Sequence, residues 1–83
     1  MKQMRDLHDT APSTRDYSAI RERAGVMRRI WRSQGRRLTA TELEALIGNL
    51  HARGIVGAAA LNHRRKLAER IVVEIGLAGK DLS

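Results

Sequence analysis

The sequence predicts an all-α protein: a small three-helix bundle behind a flexible N-terminal arm. Two observations carry this reading. Apolar residues recur at spacings of three and four in three successive segments, which is the period of one helix face. No alternating β-branched run, no Asn-Gly hairpin signal and no internal repeat asks for strands. With 83 residues, one domain is expected, and most of the chain must join a single core. Eleven of the apolar residues are alanine, so the large side chains suffice for a small bundle and little more.

Residues 1–14 carry no helical apolar period, and Ala11-Pro12-Ser13-Thr14 is a breaker cluster. They are expected to form a flexible arm ahead of a helical domain at 15–78. The tail, 79–83, is expected to fray.

The first helix should cover residues 15–34. Tyr17, Ile20, Ala24, Met27 and Trp31 fill a narrow apolar arc with Ile30 at its edge. Ser13 or Thr14 can cap its start, Asp16 suits its first turn, and Gly35 is a natural stop. The second helix has the strongest local signal. Thr39 and Glu42 have the spacing of a capping box, and Leu38 and Leu43 that of a hydrophobic staple. Thr41 with Glu44 offers an alternative box. Leu43, Leu46, Ile47 and Leu50 face inward, and Gly54 follows Arg53 at the end.

The third segment should run from near Val56 to about Leu77, with Leu61, Ala68, Ile71, Val72 and Ile75 on one face and Gly76 and Gly79 ending it. Asn62-His63 leaves two alternatives, one long helix or a break, because Asn can cap a new helix. The expected core combines Ile20, Met27, Trp31, Leu46, Leu50, Ile71 and Ile75.

Several function classes fall away on composition. The chain has no cysteine, hence no disulfide framework, thiolate nucleophile or Cys-based zinc site. His8, His51 and His63 are not spaced for metal ligation. No paired carboxylates and no Ser-His-Asp arrangement suggest acid/base or nucleophilic work. The expectation is a non-enzyme without cofactor or metal. No apolar run approaches the roughly 18 residues of a membrane span, and MKQMRDLHDT has no apolar signal core. A cytoplasmic protein with no membrane partner is expected.

Charge is the dominant feature. The formal net charge is +7, and 13 of the 16 basic residues are arginine. High genomic GC content would account for the Arg:Lys ratio, but not for the net charge or for where it lies. Residues 17–37 hold Arg21, Arg23, Arg28, Arg29, Arg32, Arg36 and Arg37 against Glu22 alone. On the helical wheel Arg21, Arg28 and Arg32 flank the apolar arc, Arg29 extends the stripe past Gly25, and Arg36 and Arg37 continue it into the loop. Guanidinium groups pair bidentately with phosphate or carboxylate. The site expected from this pattern is Arg21, Arg28, Arg29, Arg32, Arg36 and Arg37, gripping a phosphate backbone or an acidic protein surface. A secondary basic patch comprises Arg64, Arg65, Lys66 and Arg70. Arg64 falls within an apolar arc, which favours snorkelling or pairing with Glu42 or Glu44.

Readers of single strands stack bases on aromatic rings. The chain has only Tyr17 and Trp31, both expected in the core, so duplex DNA or structured RNA backbone is the nucleic-acid partner that fits. The second and third segments have the outline of a helix-turn-helix, yet Val56-Gly57-Ala58-Ala59-Ala60 offers no base-reading side chain. Two functions follow: a small nucleic-acid-binding regulatory or accessory protein, or a small adaptor or inhibitor of the phage or mobile-element kind that docks on a partner protein. Val72, Val73 and Leu77 suggest a homodimer, because Val73 points away from the arc that other helices can cover.

Overall fold

The computed structural model describes the backbone of residues 12–82 and the side chains of residues 12–76. The described residues are helices joined by short links, with no strand among them. They are α1 (Thr14–Ser33), α2 (Ala40–Ala52), α3 (Ala58–Asn62) and α4 (Arg64–Leu82). Most of the expected arm lies outside the described residues.

Local chemistry sets the helix ends. Ser13 caps α1 by accepting the Asp16 N–H at 3.1 Å, and Thr39 caps α2 by accepting the Glu42 N–H at 3.2 Å. Both helices close the same way. Gly35 and Gly54 adopt φ of +74° and +75°, a left-handed conformation that glycine enters without a Cβ penalty. The Arg36 N–H then reaches Trp31 O at 2.7 Å, and the Ile55 N–H reaches Leu50 O at 2.9 Å. With the Gly35 and Gly54 N–H groups bonded to Arg32 O and His51 O, each end is a Schellman motif.

The third segment departs from the three-helix expectation. It comprises two helices separated by His63. The His63 N–H and ring Nδ1 both meet Ala59 O, at 3.2 and 3.0 Å, so the backbone turns there before Leu67 N–H bonds His63 O. Asn62 ends α3 instead of capping α4. The helix expected to stop near Leu77 runs to Leu82. Gly76 does not adopt the left-handed conformation with which Gly35 and Gly54 close their helices.

The core gathers Ile20 and Ala24 of α1, Leu43, Ile47 and Leu50 of α2, Val56, Ala60 of α3, and Leu67, Ala68 and Ile71 of α4. Tyr17, Leu38, Leu46, Val72 and Ile75 pack at its edge. Two expected members are missing. Met27 and Trp31 are half-buried and line an open groove between α1 and α2. The apolar arc of α1 thus enters the core only through its first half.

Asp16 supplies an unexpected tie. It is only 9% exposed, and its Oδ1 accepts the Gly57 N–H at 3.2 Å. A Cβ at Gly57 would sit 3.5 Å from Asp16 Oδ2, ordinary contact. The start of α1 is therefore anchored to the link that precedes α3.

Candidate nucleic-acid interface

The site is defined by which arginines the protein's own carboxylates occupy. Three clusters do this. In the first, Glu74 of α4 accepts a hydrogen bond from the Tyr17 hydroxyl. It also pairs with Arg21 at 3.5 Å and Arg70 at 3.3 Å. Both guanidinium groups lie over the Tyr17 ring, 5.8 and 5.1 Å from its centroid, close enough for cation–π attraction. The phenol bond and the two cations hold the Glu74 carboxyl below its ordinary value of 4.5, against the opposing effect of burial. Burial first, then the Glu74 bond and charge, raises the Tyr17 hydroxyl above 10.0.

In the second cluster, Glu44 of α2 pairs with Arg65, and with Arg64 at 3.8 Å. Arg65 also reaches Glu69 at 3.2 Å and Thr41 Oγ1 at 3.4 Å. The Glu44 bond keeps the Arg65 guanidinium above its usual range. In the third, Arg36 donates to Glu42 at 2.8 Å and lies 5.2 Å from the centroid of the Trp31 ring. Glu42 also accepts from the Thr39 hydroxyl at 2.7 Å. These clusters tie α1 to α4, α2 to α4, and the α1–α2 link to α2.

The expected residues therefore divide. Arg21 and Arg36 of the stripe are turned to internal carboxylates, as are Arg64, Arg65 and Arg70 of the secondary patch. Lys66 is exposed without a carboxylate partner among the described residues. On α1, Arg28 is half-buried and Arg29 exposed, and Arg37 is exposed in the link. None of these three has a carboxylate partner among the described residues. Arg32 lies exposed beside them.

The helical register explains this surplus. Residues three or four away on a helix are neighbours. For Arg28 these are Ala24, Gly25, Trp31 and Arg32; for Arg29 they are Gly25, Val26, Arg32 and Ser33. No acid falls within reach. Glu22, the other carboxylate of α1, has Ser18, Ala19, Gly25 and Val26 around it. Among the described residues, Glu42, Glu44, Glu69 and Glu74 sit on α2 and α4 and are held by other arginines.

Nothing matches this chain among protein-family models, curated proteins or solved structures. The geometry alone speaks to function. Arg28, Arg29, Arg32 and Arg37 form a cationic face on the end of α1 and its link. This arrangement suits a row of phosphates or carboxylates, to which each guanidinium offers paired donors.

The aromatic expectation changes as well. Trp31 lies at the groove with Arg36 over its ring, and Tyr17 carries two guanidinium groups. For the expected self-association residues, Val72 packs on the core edge and Val73 is 59% exposed. The side chain of Leu77 lies outside the described residues. Among the described residues, no helix is long and apolar enough to cross a membrane.

Proposed function

We propose that this chain is a small nucleic-acid-binding accessory or regulatory protein that grips the phosphate backbone through Arg28, Arg29, Arg32 and Arg37. The observation that supports it is the partition of charge. Internal carboxylates engage Arg21, Arg36, Arg64, Arg65 and Arg70, while Arg28, Arg29 and Arg37 have no carboxylate partner among the described residues. A face that merely kept the helix in water would intersperse acids at i,i+4.

Contacts of this type position a protein on a duplex without reading bases. Duplex DNA or structured RNA is the form that fits, since α3 begins Ala58-Ala59-Ala60 and offers no base-edge contact. The reading gives the chain no catalytic role, cofactor or metal, and places it in the cytoplasm. A homodimer through Val73 and the later half of α4 would double the cationic surface.

The test is charge removal on folded protein. Arg28→Gln with Arg29→Gln should weaken binding to a 20-base-pair duplex at least tenfold, with the circular dichroism spectrum unchanged. Equal affinity for the variant and the parent would rule this face out.

A further inference from the structure

We propose that the groove between α1 and α2 docks an acidic amphipathic helix of a partner protein, on a face of α1 separate from the phosphate-gripping arginines. The groove encloses about 580 Å³ and is open to solvent. Its walls are Val26, Met27, Ile30 and Trp31 from α1 and Leu46 from α2. Ile30 is 50% exposed, one of the largest apolar exposures among the described residues. An open apolar trough between two helices is shaped for a third helix, which seats side chains at i, i+3/i+4 and i+7. Met27 supplies an adaptable surface, and Trp is a residue type that dominates interface energetics.

Charge decides which helix fits. Arg23 and Arg53 line the groove, and neither has a carboxylate partner among the described residues. The short link folds α2 back along α1, so these two cations share one end. At the other end the single acid of the lining, Glu42, is already held by Arg36 and Thr39. The trough is thus apolar with an unbalanced positive end, which complements a helix bearing carboxylates beside its apolar stripe. A second copy of this chain would bring a like net charge of +7.

Arg23 and Arg28 lie about 140° apart around α1, five residues at 100° each. The groove and the phosphate face can therefore be occupied together, which would make the chain a tether between nucleic acid and a protein.

Trp31 is the sole tryptophan and a built-in reporter. Two 16-residue helical peptides would be titrated into the full chain at about 150 mM salt. Both carry leucine at i, i+3, i+7 and i+10; one flanks that stripe with glutamate, its twin with lysine. The expected result is a saturable change in Trp31 fluorescence with the glutamate peptide and at least tenfold weaker binding of the twin. Ile30→Ser should weaken the glutamate peptide at least fivefold yet leave duplex affinity unchanged. Arg28→Gln with Arg29→Gln should do the reverse, so loss of one activity does not imply loss of the other. The proposal is overturned if neither peptide moves the signal or if both bind equally. It is also overturned if sedimentation shows a dimer that Ile30→Ser dissociates, because the groove would then be covered by a second copy.

Discussion

Glu74 shows how much one side chain organises here. It collects the Tyr17 hydroxyl, Arg21 and Arg70, and its carboxyl is held below the ordinary value of 4.5. A native carboxyl more acidic than the unfolded one stabilises the fold above the unfolded value and loses that contribution as pH falls through the native value. Acidification below about pH 4.5 should therefore lower the urea midpoint, and Glu74→Gln should flatten that dependence; an unchanged slope in the variant would remove Glu74 from the account. Thr39 carries a second prediction. Its alternative, Thr41 with Glu44, is occupied by Arg65, so Thr39→Ala should cost the full value of an N-cap, about 1 kcal/mol, read as a shift in denaturation midpoint. Little of this was legible beforehand. The capping residues were, because they act on neighbours in sequence. Tyr17 and Glu74 stand 57 positions apart, and Asp16 and Gly57 stand 41 apart; spacing along a chain does not encode such meetings.

At the scale of elements, the ends of α1 and α2 were readable to within a residue because caps and left-handed glycines are local devices. The interruption at His63 was not decided, because it turns on how the His63 ring and N–H share Ala59 O. The helical wheel placed Met27 and Trp31 on the core arc of α1, but a wheel shows which residues share a face, not how far a partner helix covers it. α2 folds back beside the later turns of α1, yet Met27, Ile30 and Trp31 stay at a groove open to solvent, and α4 meets α1 through its first half, at Tyr17 and Arg21. Trp31→Ala should consequently destabilise the fold less than Ile47→Ala, whose fully buried side chain should cost about 2–5 kcal/mol. Thermal unfolding of both variants compares them directly. Gly25 has open space where a Cβ would stand, so Gly25→Ala should raise stability by about 1 kcal/mol. Gly54→Ala, at a φ of +75°, should lower it by roughly 1–2 kcal/mol.

For the whole molecule, the net charge of +7 was visible from composition, and its concentration in α1 from the sequence. Which arginines remain available was not, since that depended on where α2 and α4 bring their carboxylates. Val73, 59% exposed, belongs to this scale: if it lies in a dimer contact, Val73→Glu should convert the protein from dimer to the 9.3 kDa monomer in sedimentation equilibrium without loss of helix signal. The central claim, that the surplus arginines of α1 grip a phosphate backbone, is tested most directly by the salt dependence of duplex binding. Displacing counterions from three to four phosphates should give log K against log[salt] a slope of roughly −3 to −4, and Arg28→Gln with Arg29→Gln should make that slope shallower by about two. Absence of duplex binding at about 50 mM salt, or a slope that the double variant leaves unchanged, would contradict it.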